Sequence, residues 1–174
     1  DPSIGDNAYD GSAPLPNAPH GPKATIQAAV DAAHYLEHTD VILAPATYIG
    51  PGNRNISFAG KSLTVRSADP KDPTIVAQTV IDCDSSSYRR HSGFNFTPGE
   101  GPESGIVGIT ITNGHGAVHC TNSDPTIADS ILTNHSNIAL TLRYSNSIVR
   151  NCQITHNTGE DTGGVSMGEG DSLL

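Results

Sequence analysis

From Glu103 to Leu174 one pattern is written three times and begun a fourth, and this constrains the fold more than anything else in the chain. The apolar positions fall into columns: Ile106, Ile127 and Val149; Ile109, Ser130 and Cys152; Ile111, Leu132 and Ile154. A second set follows each line, Val118 with Cys120, Leu140 with Leu142, and Val165 with Met167. The offsets are 21 or 22 residues and then 25, and Leu174 falls in the first column. A period of this size is the mark of a repeat architecture.

Within each line apolar residues alternate with Thr, Gln or His, as in Ile109-Thr110-Ile111 and Gln153-Ile154-Thr155, which is strand periodicity. The runs are short and are split by Gly, Asn, Ser, Asp or Pro, the residues that turn a chain. One such repeat cannot bury an apolar face alone. Coiling the chain so that each strand lies beside its counterpart stacks like on like, about 4.8 Å apart. The expected fold is therefore all-β: a parallel β-helix of about six coils with a short N-terminal capping helix. A leucine-rich repeat has a similar period, but its L-x-x-L-x-L and Asn spacing is not held here.

The line SDPTIADSILTNHS resembles the Ser-x-Pro-Thr-Ile-x-x-Cys-x-Ile-x-x-Asn repeat of secreted bacterial right-handed parallel β-helix proteins of the pectin-lyase-like superfamily. Upstream, GPKATIQAAVDAA, DVILAPATY, GNRNISFAGKSLTVRS and TVIDC are similar to the N-terminal coils of that family. The resemblance spans Gly21 to Leu174 and implies a right-handed parallel β-helix. It is specific for fold and weak for activity, because the family holds lyases, esterase-like and hydrolase-like members and many with no known reaction.

The chain divides into an extended Pro-rich tail (1–22), a capping helix (23–38) and the β-helix (39–174). The tail carries five prolines and few apolar anchors, so it needs a resting place on its own domain or a neighbour. Thr25 to about Leu36 reads as a helix, with Ile26, Ala29, Val30 and Ala33 on one face and Thr25 as N-cap. Such a helix hides the first coil's free edge. Val41 to Leu43 opens that coil and Pro45 to Tyr48 turns it. Ile56 with Phe58, Leu63 with Val65, Val80 or Ile81, and Phe94 with Phe96 continue the ladder. Ala68 to Gln78 and Asp84 to Ser92 read as projecting loops.

Eighteen acidic residues against nine basic give a formal charge of −9, which argues against nucleic acid or an anionic membrane as partner. No stretch approaches 18 apolar residues, so no membrane span is expected. A chain that starts at Asp1 without Met is expected to be a mature exported product, extracellular or at the cell surface; a chain trimmed to this point is the other reading.

Several residues invite chemistry. Gly114-His115-Gly116 is similar to the Gly-His-Gly of polygalacturonases, but the paired aspartates and the downstream Arg-Ile-Lys have no match, so a turn is expected. Asp82, Asp84 and Asp129 are candidates for a hard cation, with Asp129 expected as a solvated turn carboxylate. His115, His135 and His156 lie near corresponding turns, but their registers differ by one residue, which favours a polar ladder over zinc. Cys120 and Cys152 read as inward-facing core residues, and Cys83 leaves room for a disulfide. Asn55-Ile56-Ser57, Asn95-Phe96-Thr97 and Asn134-His135-Ser136 fit the glycosylation sequon. No catalytic, cofactor-binding or metal-binding residue is assigned.

The expected function is that of an extracellular structural subunit without catalysis, stacking head to tail with copies of itself into a filament or other surface assembly. Leu173-Leu174 begins a strand with no closing repeat after it, which leaves apolar surface to be covered. The expected interface residues are Leu173, Leu174, Met167 and Val165 at one end, and Ile26, Val30 and Leu15 at the other. The alternative is a carbohydrate-binding or lyase-like β-helix with a polysaccharide partner, a reading that rests on fold analogy.

Overall fold

The computed structural model describes residues 1–86, 88–159 and 163–168. The chain winds through about five coils, each giving one strand to each of three sheets. The first coil holds β1 (Thr39–Leu43), β2 (Ala46–Ile49) and β3 (Ile56–Ser57), and the second β4 (Leu63–Ser67), β5 (Thr79–Asp82) and β6 (Ser92–Phe96). The third holds β7 (Gly105–Val107), β8 (Thr110–Thr112) and β9 (Gly116–Thr121). The fourth holds β10 (Thr126–Ala128), β11 (Ile131–Thr133) and β12 (Leu140–Arg143). The fifth holds β13 (Ile148–Arg150), β14 (Gln153–Thr155) and β15 (Val165–Met167). The first sheet is β1-β4-β7-β10-β13, the second β14-β11-β8-β5-β2, and the third β15-β12-β9-β6-β3, with every printed pairing parallel. This is a parallel β-solenoid, as expected, with about five coils among the described residues; the start of a further coil expected at Leu173-Leu174 lies outside them. The insertions before β5 and β6 use up chain without adding a turn of the winding.

The columns read from the sequence are the registers. Val41, Val65, Ile106, Ile127 and Val149 stack in the first sheet. Tyr48, Ile81, Ile111, Leu132 and Ile154 stack in the second, so Ile81 rather than Val80 faces inward. Ile56, Phe94, Val118, Leu140 and Val165 stack in the third. A register slip of one residue would turn every member of a column out to solvent, so the pattern of alternation fixes the pairing. Most inner residues of the middle coils are fully buried, each worth about 1.5–3 kcal/mol. Phe58, Phe94 and Phe96 fill the core together, Phe58 meeting Phe96 edge-on at 4.9 Å between centroids.

Two successive corners of the third, fourth and fifth coils hold a residue in the left-handed region. Gly108, Asp129 and Asn151 hold the same corner in successive coils at φ 66, 52 and 53°. Asn113, Asn134 and His156 hold the next at 55, 58 and 57°. Gly, Asn and Asp enter this region at least cost, which is why they recur where the strands break.

Two helices accompany the coils among the described residues. α1 (Ile26–Ala32) is shorter than the expected 23–38 segment: Ala33 is extended at ψ 142° and 34–38 form an exposed loop. α2 (Pro73–Gln78) lies inside the Ala68–Gln78 excursion, where a plain loop was expected. Asp72 caps it by accepting from Thr74 N–H at 2.8 Å, and Pro73 supplies a pre-set first turn. Val76 is buried beneath it, and Thr110 donates to the Val76 carbonyl at 2.9 Å. Ala46–Ile49 is also a strand rather than only a turn, with Tyr48 1% exposed.

The Pro-rich tail folds back on its own chain. Asn7 Oδ1 accepts from the N–H groups of Ala24 and Thr25 at 2.9 and 3.0 Å, and Gly11 N–H donates to the Gly21 carbonyl at 2.9 Å. Ser12 and His20 hold the Asp10 carboxyl below the usual carboxylate range.

Candidate functional site

The two ends of the stack differ in how the backbone and the core are finished. At the N-terminal end α1 lies over the first coil with Ile26 and Val30 buried against it. Ile26 N–H donates to Asn53 Oδ1 at 2.9 Å, and Gln27 N–H to the Gly52 carbonyl at 2.8 Å. The Gln27 side-chain amide pairs with Ser57 in both directions: Oε1 accepts from Ser57 N–H and Nε2 donates to the Ser57 carbonyl, each at 3.0 Å. It thus imitates one more strand along the free edge of β3. Lys61 Nζ closes the helix by donating to the Val30 and Asp31 carbonyls at 2.8 and 2.7 Å, a cation placed where the helix dipole is negative. Ile26 and Val30 are therefore occupied by their own first coil. Leu15, 67% exposed, stands on the tail, and Tyr35 and Leu36, 62% and 84% exposed, stand in the loop leading from the cap to β1.

At the other end the last described coil is half finished. Ile106 and Ile127 are 0% exposed, as are Ile111, Leu132, Val118 and Leu140. Their counterparts Val149, Ile154 and Val165 are only partly buried, as is Cys152. Met167 is 47% exposed where its rank-mates Cys120 and Leu142 are 0% and 1%, and Ile148 is 40% exposed. Each strand of this coil pairs on one side only among the described residues. Leu173 and Leu174 lie outside the described residues.

The polar residues singled out in the sequence do not converge. Asp84 pairs with Arg54 at 2.8 Å, and Asp82 accepts from Asn113 Nδ2 at 2.9 Å. Asp129 is held by Lys71 at 2.8 Å, by Asn151 at 3.1 Å and by Arg150 at 3.7 Å. Lys71 above all draws its pKa below the usual range. Its side chain is only 11% exposed, so it ties α2's loop to two coils rather than standing free in solvent. Among the described residues no group of three or more His, Cys, Asp and Glu is placed to hold a metal ion.

The histidines separate likewise. His135 is 1% exposed, with Nδ1 accepting from Gly114 N–H and Nε2 reaching the Ile111 carbonyl, both at 3.1 Å. Its two nitrogens are thus engaged by backbone, and burial pulls its pKa down to about 4. His115 Nε2 meets Asn137 Nδ2 at 3.0 Å, and His156 is an exposed corner residue. Gly114-His115-Gly116 is a turn running into β9. All three cysteines are free, and burial pushes the Cys83 and Cys120 thiols up to about 12.

Sequence reading missed the edge-capping of Gln27 and the buried carboxylate of Glu100, which accepts from Gly60 N–H at 2.9 Å and from Thr97 N–H. The bonds from Gln27 to Ser57 and from Gly60 to Glu100 join residues 30 and 40 apart, so no local spacing announces them. The class that the fold defines is a parallel β-solenoid with a helix at its N-terminal end. Comparison with family models, with curated proteins and with solved structures finds no match to this chain.

Proposed function

We propose that the chain is an extracellular structural subunit of the pectin-lyase-like kind, wound right-handed, which stacks head to tail with copies of itself into a filament or surface assembly. Right-handed winding is the expected hand because parallel crossovers are almost always of that hand. One observation carries the reading: the step in burial between the fourth coil and the fifth. Val149, Ile154 and Val165 repeat the residues that are 0% exposed one coil earlier, yet remain partly open. A column of this kind gains its burial from the next layer laid on it. Tyr35 and Leu36, exposed beside the cap, give the opposite end an apolar surface to meet it. A head-to-tail contact of this kind propagates when its rotation does not close.

Sedimentation velocity across a concentration series tests the proposal, alongside a Val165→Glu/Met167→Glu variant. The chain is expected to grow in size with concentration, and the variant to stay monomeric with its circular dichroism unchanged. A wild-type chain that remains a single monomeric species at high concentration, with no fibres in micrographs, overturns it.

A further inference from the structure

The outer face of the third sheet carries a second feature, independent of the ends. The register sets His119, Thr141 and Ser166 in one outward rank and Thr121 with Arg143 in the next. With Asn137 and Ile138 from the turn before β12 they line an open cleft of about 260 Å³. The chain carries 18 acidic residues against nine basic, yet no carboxylate lines this cleft among the described residues.

Arg54, Arg66 and Arg150 each face an aspartate, whereas Arg143, on the exposed side of β12, has no carboxylate partner among the described residues. The hydroxyls of Thr121, Thr141 and Ser166 make no hydrogen bond to protein among those residues either. The electrostatic field agrees with this placement. Burial, and then the nearby His115 and Arg143, hold His119 below the usual histidine range, with no acidic group among the described residues raising it.

Arg143 and three unused hydroxyls line this one cleft from three adjacent strands about 4.8 Å apart, so a ligand seated there meets a charged donor and several neutral ones. That arrangement suits a tetrahedral oxyanion better than a flat carboxylate, because charge-assisted bonds from Arg fork onto two oxygens and leave the others for the hydroxyls. We propose that this cleft binds a sulfate or phosphate ester, with Arg143 pairing with the anion and Thr121, Thr141 and Ser166 donating to it.

The test titrates the full chain with inorganic phosphate, inorganic sulfate and acetate, following amide resonances of Thr121, Thr141, Arg143 and Ser166. Phosphate, sulfate or both are expected to shift these amides saturably, and whichever binds tighter identifies the ester. Acetate is expected to bind at least about tenfold more weakly. Arg143→Gln is expected to weaken binding about tenfold or more without lowering Tm, and Thr141→Val by a few-fold. Four outcomes overturn the proposal: no shift at concentrations well above about 1 mM, shifts scattered over the surface, acetate binding as well as phosphate and sulfate, or Arg143→Gln binding like the wild type.

Discussion

The imidazole of His135 occupies the space that a side chain on Gly114 would need. A Cβ built on Gly114 would lie 2.7 Å from His135 Nδ1 and 2.5 Å from the Gly116 carbonyl oxygen. The ring joins two coils, taking the Gly114 N–H and reaching back to the Ile111 carbonyl. His135→Ala leaves both backbone groups without this partner in a closed core and is expected to cost about 3 kcal/mol, read by urea denaturation. Gly114→Ala is expected to cost a similar amount, because backbone as well as ring stands in its way. A loss under about 0.5 kcal/mol in either variant would contradict this account of the corner.

The same ring predicts a pH dependence. His135 is held neutral in the fold by burial, with a pKa of about 4 against the 6.5 ordinary for histidine. Between those values the unfolded chain binds the extra proton, so stability falls as pH drops from about 6.5 towards 4 and levels off below. The loss through this group is of the order of 3 kcal/mol. Above pH 6.5 it contributes no slope. In His135→Gln this part of the acid-side slope is expected to disappear; an unchanged slope would assign it elsewhere.

Much of the winding was legible because its columns are built from residues with one strong preference. Ile106, Ile127 and Val149 are β-branched and recur at offsets of 21 and 22 residues, so their register could be read directly. Asn113 and Asn134 marked their corner because few residue types accept a positive φ. The coil count was harder, since Ala68–Gln78 and Asp84–Ser92 break the period. α2 was signalled by Asp72-Pro73, an N-cap followed by a first-turn proline, but two Asp-Pro pairs in one stretch read as loop. Gln27 on Ser57 and Lys61 on the helix end were not legible, because they join residues about 30 apart through a fold that must exist first. The cleft of the third sheet was hidden for the same reason: Thr121, Arg143 and Ser166 become neighbours only through register.

Gln27 offers a direct probe of the capped end. Gln27→Ala removes two bonds to Ser57 and leaves the edge of β3 bare. A loss of about 1–2 kcal/mol is expected, together with faster hydrogen exchange confined to β3 and α1. Unchanged exchange at the Ser57 amide would show that the side chain does not cap the strand.

Asp129 separates the demands of backbone and side chain at one corner. Its φ is 52°, like that of Gly108 above it and Asn151 below. Asp129→Asn keeps the backbone preference and is expected to cost under about 1 kcal/mol. Asp129→Val forces a β-branched residue into the left-handed region and is expected to cost about 2 kcal/mol or more. Equal losses in thermal unfolding would mean that the ion pairs with Lys71 and Arg150, not the corner, set the residue.

The central claim is that the fifth coil is completed by another copy of the chain, and hydrogen exchange across a concentration series tests it most directly. Amides of β13, β14 and β15 are expected to gain protection as concentration rises, approaching that of β10, β11 and β12, while α1 and the first coil keep the protection they already have from Gln27 and Lys61. Protection in the fifth coil that stays low and independent of concentration would contradict the claim.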